Sequence, residues 1–344
     1  MRPPTAPADD TATPAAGPAT AAAPDRADVR RAALLLLLAM AGAAVALLGP
    51  GAALHGTGEA EAPAAGWVSL LRGVVLAAVC VQTGEVAGTW LARRVPGGPA
   101  PLPRAWSAGV GLAGALAAAG LAAIVSDGNL VPQSLADLDL SGLYRTRDGM
   151  LALLEVNAFL VAALLARSRR PAAQAAPLAV LVVCEALRAH PAPEDTPLVG
   201  SALTLLHLTC AALWAGTLLH VLRTLRLWRT AAPGPGAVLL ARYARGAVFL
   251  LAALTATGVC STLRRMPPGT VLGQLTGTAY GRVLLAKLLL VAVTSALALY
   301  ARLRLRRADD PLSACAPARA ELVLLGTTVA VTALLTALPV PIRW

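Results

Sequence analysis

Residues 199–222 read Val-Gly-Ser-Ala-Leu-Thr-Leu-Leu-His-Leu-Thr-Cys-Ala-Ala-Leu-Trp-Ala-Gly-Thr-Leu-Leu-His-Val-Leu. The run is long and apolar enough to cross a bilayer as a helix. It also carries His207, Cys210, Trp214 and His220, an unusual load for a segment that only has to be greasy. His207, Cys210 and Trp214 stand at i, i+3 and i+7, so they share one helix face. Polar groups that can bind metal are costly inside a membrane, and their presence there points to function.

The same character runs through the whole chain. Its 344 residues are 57% hydrophobic and 14% charged, which no soluble domain of this size matches. Apolar runs at about 32–49, 67–91, 105–125, 149–166, 174–190, 199–222, 243–262, 279–300 and 320–338 predict nine membrane helices. They lack the alternation of barrel strands, so the expected fold is an all-α polytopic transmembrane bundle. Residues 1–28, rich in Ala, Pro, Thr and Asp, read as a disordered tail. Residues 29–190 then hold five helices and residues 191–344 hold four. The Arg30-Arg31 pair before the first run suggests a signal peptide, but the run is long for one, and an uncleaved first helix is expected.

The net charge of +11 does not indicate nucleic-acid binding, because aromatic residues make up only 3% and the basic residues form no single patch. They cluster between apolar runs. With the N-terminus inside, twenty Arg fall on the inner side and seven on the outer, the positive-inside pattern. Five Cys, at 80, 184, 210, 260 and 315, form no CxxC pair, and four lie within apolar runs. A disulfide framework or zinc ribbon is not indicated.

A faint internal repeat is visible. Arg145-Thr146-Arg-Asp-Gly149, leading to Glu155, matches Gly277-Thr278-Ala-Tyr-Gly281, leading to Lys287. Arg104 to Gly120 matches Arg242 to Gly258. Four helices separate the copies, so the repeat is parallel. Glu155 and Lys287 occupy matching positions and are expected to pair across the repeat interface. Arg72 is expected to snorkel to the outer headgroups.

The remaining costly groups gather toward the outer side. His207 lies about 12 Å deep at 1.5 Å per residue, with Cys210 one turn below. Cys184 and His190 are near the outer end of the fifth helix, Cys260 near that of the seventh, and Met150 and Met266 mark outer helix ends. Imidazole suits copper, and thiol or thioether favours Cu(I). These residues therefore form a candidate soft-metal site, against the alternative that each is simply packed. His207 and His220, 13 residues apart, could stack two haems, but His55 and His190 are poorly placed as second axial ligands, so haem is disfavoured. There is no nucleotide-binding loop and no nucleophile–base constellation, so an enzyme is not expected.

Several segments resemble a known family. Leu206-His207-Leu-Thr-Cys-Ala-Ala-Leu-Trp214-Ala-Gly216 is similar to the His…Ala-Ala-Leu-Trp helix of the copper-resistance CopD family of bacterial inner-membrane proteins. Arg242-Tyr-Ala-Arg245 with Thr257-Gly258 resembles its next helix, and Thr278-Ala-Tyr280-Gly281-Arg282-Val-Leu-Leu-Ala-Lys287 its Thr-x-Tyr-Gly signature. Ala189-His190-Pro-Ala is similar to its Gly-His-Ala-Ala motif, with Ala replacing Gly; Thr217 likewise replaces a second Gly after Gly216. The resemblance implies copper handling across the cytoplasmic membrane, with a periplasmic copper-binding CopC-type protein as partner. It implies import of a copper ion; the alternative is a copper-delivery or oxidase-assembly accessory that does not transport.

Overall fold

The computed structural model describes residues 26–134, 138–190, 196–229, 231–307 and 315–340. Most of the expected tail, residues 1–25, lies outside the described residues, as do Asp137, Glu194, Asp195, Arg343 and Trp344. The helices are α1 (Arg26–Leu54), α2 (Ala65–Arg93), α3 (Ser107–Ser126), α4 (Leu140–Arg145), α5 (Arg147–Ala166), α6 (Ala175–Arg188), α7 (Pro197–Trp228), α8 (Pro233–Arg265), α9 (Val271–Gly277), α10 (Ala279–Arg307) and α11 (Cys315–Leu335). Among the described residues nine helices are long and apolar enough to span a membrane, and none of those residues is in a strand. Compactness divides the chain into residues 1–41 and 42–344. Helices α2 to α11 belong to the second unit.

The two short helices, α4 and α9, were not expected, and they make the internal repeat visible in atomic detail. Thr146 ends α4 in extended conformation and Thr278 ends α9 in the same way. Each hydroxyl donates back to a carbonyl four residues earlier: Thr146 to Gly142 at 3.1 Å and Thr278 to Gln274 at 2.8 Å. Each then accepts from the glycine three residues on, Gly149 at 3.2 Å and Gly281 at 2.9 Å. Threonine suits this junction because one hydroxyl closes the first helix and caps the next. Glycine is needed because a Cβ at Gly149 would strike the Leu143 main chain, and one at Gly281 the Gln274 carbonyl.

Packing follows the same two-part plan. α2 and α7 cross at the centre. α3 packs on α2 as α8 packs on α7, and α6 packs on α5 as α11 packs on α10. α6 also reaches across to α7, and α11 to α2. This is the arrangement of two copies related by a pseudo-two-fold axis through the α2–α7 crossing. At the crossing, Gly84 faces Gly216 so closely that a Cβ on either would fall on main-chain atoms of the opposite helix. Small residues permit this backbone approach in a membrane, where close packing replaces the hydrophobic drive between helices. One turn further inward, Gly88 leaves room for the His220 ring.

The symmetry breaks in one place. α3 packs along α5, whereas α8 barely meets α10. Gly111 and Gly114 allow the first contact: a Cβ at Gly111 would lie 3.0 Å from the Ala163 Cβ, and one at Gly114 would meet the Phe159 ring. In the register that matches Gly120 to Gly258, the corresponding α8 residues are Phe249 and Ala252. Phe249 is 77% exposed, and this side of α8 stays open.

Candidate functional site

His207 of α7 is held by α8. Its Nδ1 lies 2.9 Å from the Thr257 hydroxyl oxygen. That hydroxyl has a single hydrogen, which points to the helix carbonyls of Ala253 at 2.7 Å and Leu254 at 3.1 Å. The Thr257 oxygen is therefore left to accept, and His207 must donate from Nδ1. Donation from Nδ1 leaves the neutral ring's lone pair on Nε2. The Leu254 carbonyl of α8 also stands within hydrogen-bonding reach of the ring. An imidazole held in place by a hydrogen bond at one nitrogen is the arrangement that metal-binding histidines use. α8 passes close to the ring: a Cβ at Gly258 would make an ordinary contact, 3.7 Å from the His207 Cε1. Lys287 of α10 is within electrostatic reach of the ring.

His190, just beyond α6, is 3% exposed and packs on the outer end of α7. Its Nε2 lies 2.9 Å from the Thr204 hydroxyl. Gly200 is required beside it, because a Cβ there would overlap the imidazole. Arg147 at the start of α5 donates to the carbonyls of Leu187, at 2.8 Å, and His190, locking the end of α6. His190 thus packs on the same half of α7 that carries His207, but the two rings turn to different neighbours.

The other expected ligands are dispersed over several elements. Cys210 is buried one turn below His207, and Cys184 is buried on α6. Cys260 is exposed on α8. Met150 is 52% exposed near the start of α5. Met266 is fully buried in an apolar cluster with Ala279, Tyr280 and Val283, where it serves packing. Among the described residues no three His, Cys, Asp or Glu side chains come together as a metal-holding group.

The charge pairs differ from the expected ones. Glu155 does not pair with Lys287: its Oε2 lies 2.8 Å from the Arg188 Nη2 on α6. Arg72 does not snorkel: its Nη1 donates to the Glu185 Oε2 at 2.8 Å. The reason lies in the symmetry. Matching positions of two copies related by a two-fold axis meet only near that axis, and α5 and α10 lie away from it. Each acid instead finds an arginine within its own half, on helices α2, α5 and α6. The quartet is nearly sealed, and both Glu155 oxygens and the Arg188 Nε lack aligned hydrogen bonds. Charges this deep are held by mutual compensation more than by geometry.

A second charged centre joins the halves on the inner side. Glu85 of α2 accepts from the Trp106 and Ser107 backbone N–H groups at 2.7 and 2.9 Å, and from the Ser107 hydroxyl at 2.6 Å. It thereby caps the N-terminus of α3, where a negative charge is favoured. Arg223 of α7 donates to the same carboxylate at 2.7 Å, donates to the Arg104 carbonyl, and lies 3.7 Å over the Trp106 ring. His220 is 3.4 Å from the Thr89 hydroxyl across the α2–α7 crossing.

Sequence reasoning did not assign Thr257 its role as the anchor of His207, nor Glu321 as the partner of Trp214. Glu321 on α11 accepts from the Trp214 indole N–H at 2.9 Å. The signal for both was a polar residue within an apolar run, but which helix it would face was not encoded locally.

The family model for copper resistance protein D matches residues 237–335, which contain Thr257, Lys287 and Glu321. No curated protein and no solved structure matches the chain. Over residues 237–335 the chain is thus similar to the copper resistance protein D family.

Proposed function

We propose that this protein binds copper at the outer side of a bacterial cytoplasmic membrane and passes it inward, taking the ion from a periplasmic copper-binding protein of CopC type. The supporting observation is the His207–Thr257 pair, which anchors the ring through Nδ1 on the segment that matches the copper-resistance family. Imidazole is a good ligand for copper, and Cys210 one turn away adds a soft donor to the same helix. His190 does not join these two in one three-ligand group and is assigned to the entry path of the ion at the outer end of α7. Cys184, Cys260, Met150 and Met266 are assigned to packing or to the outer surface. The protein acts as a binder and carrier, and no catalytic role is assigned to it.

A ligand set this sparse holds an ion briefly, as a carrier must. It equally suits a membrane accessory that hands copper to another protein without moving it across, the second reading. Reconstitution separates the two. Purified protein in liposomes should carry external copper to a chelator trapped inside, and His207→Ala should abolish the flux. Copper binding without flux would favour the accessory role. Neither binding nor flux would overturn both readings.

A further inference from the structure

The gap between α8 and α10 is a cavity of about 310 Å³. Its walls come from α7, α8, α10 and α11. Two of the lining residues, Val248 and Leu299, are 46% and 58% exposed on the faces that would meet lipid. The walls are apolar except at a few points, of which Glu321, Ser295 and Arg302 matter most. This composition, an apolar recess with a few placed polar groups, is that of a small-molecule site. In the first half the matching gap is filled, because glycines on α3 let that helix close on α5.

Three features define the occupant. It arrives through lipid, so it is largely apolar. It meets a carboxylate: Glu321 is 3% exposed, and Trp214 takes only its Oε1. Trp214 is the only hydrogen-bond partner of Glu321 among the described residues, so the second oxygen lacks a donor. A lipid acyl chain would leave that oxygen unmatched at a substantial desolvation cost. A cationic amphiphile would meet the like charge of Arg302 on the same wall. A neutral hydroxyl donor satisfies both constraints. The volume is about twice that of an engineered cavity of 150 Å³ that accepts benzene, so it admits a single ring with substituents. Trp214 and Tyr243 supply aromatic surface for it.

We propose that this cavity binds a lipid-soluble hydroxylated ring of the phenol or quinol class, with one ring hydroxyl donating to Glu321. The site is separate from the copper ligands and does not depend on them.

The test uses the full-length protein in phosphatidylcholine nanodiscs, titrated anaerobically by calorimetry with a decyl-substituted hydroquinone and with its oxidised quinone. Empty nanodiscs give the background partition. The hydroquinone should show one saturable site per chain. The quinone, which accepts but cannot donate, should bind at least about tenfold more weakly, as expected for loss of a strong hydrogen bond. Ala298→Phe fills the cavity from the lipid side and should abolish saturable binding of both forms. Glu321→Leu should remove the preference between them. If the Leu variant fails to fold because Trp214 loses its partner, Ala298→Phe with the paired ligands still decides the matter. Partition no greater than into empty nanodiscs, equal affinity for the two forms, or a phospholipid that co-purifies in the cavity and resists displacement would each overturn the proposal.

Discussion

Gly216→Ala places one methyl group at the point where α2 and α7 cross. A Cβ there would fall on the Cys80 carbonyl and come within 3.0 Å of the Gly84 Cα. These atoms are main chain, so no side chain can swing aside, and the two helices must part. Ordinary overpacking costs about 1–3 kcal/mol; a backbone obstacle places this variant at the upper end, about 3 kcal/mol. Replacing Gly by Ala in a helix returns about 1 kcal/mol of propensity. The net loss is therefore about 2 kcal/mol, a large part of a typical stability of about 5–15 kcal/mol. Gly246→Ala is the matched control, because nothing lies within 4 Å of a Cβ at that position. Both variants would be unfolded by adding dodecyl sulfate to mixed micelles, followed by tryptophan fluorescence. The structure predicts that Gly216→Ala is about 3 kcal/mol less stable than Gly246→Ala. Equal stability of the two would refute the close crossing, and with it the pseudo-two-fold arrangement.

Three further outcomes follow from the buried contacts. Arg188→Ala strips Glu155 of the cation 2.8 Å away and should destabilise by about 3–5 kcal/mol, while Glu155→Leu combined with Arg188→Leu should recover most of that loss in the same unfolding assay; additive losses would argue against the pair. Glu85→Ala leaves the Trp106 and Ser107 N–H groups without an acceptor, so the start of α3 should loosen, and trypsin should cut after Arg104 several times faster than in the unaltered protein. Thr257→Val removes the oxygen that orients His207 and should weaken copper binding about 10–100-fold with folding unchanged, whereas Thr257→Ser should bind as before; both are read by competition with a chromogenic Cu(I) chelator.

The long helices were legible because each is an apolar run of membrane length, bounded by arginines or by Pro and Gly. The repeat was most legible at Thr146, Gly149, Thr278 and Gly281, and the structure gives the reason: a short helix turns into a long one there through the same hydroxyl contacts in both halves. The charge partners were not legible. Aligning Glu155 with Lys287 was correct as a matter of register, but a two-fold axis separates such positions unless they lie beside it, as Gly84 and Gly216 do. Sequence shows that a buried acid needs a partner; it does not show which neighbouring helix supplies it. The same holds for His207. Its place on α7 was evident, while its tautomer depended on how Thr257 of another helix spends its one hydrogen.

The central claim is that the Nε2 of His207 is the primary copper ligand. X-ray absorption at the copper edge, on protein loaded with one equivalent of Cu(I), tests it most directly. The account predicts an imidazole scattering signature in the unaltered protein, at least partly lost in His207→Ala together with most of the bound copper. An unchanged spectrum and unchanged copper content in His207→Ala would contradict it.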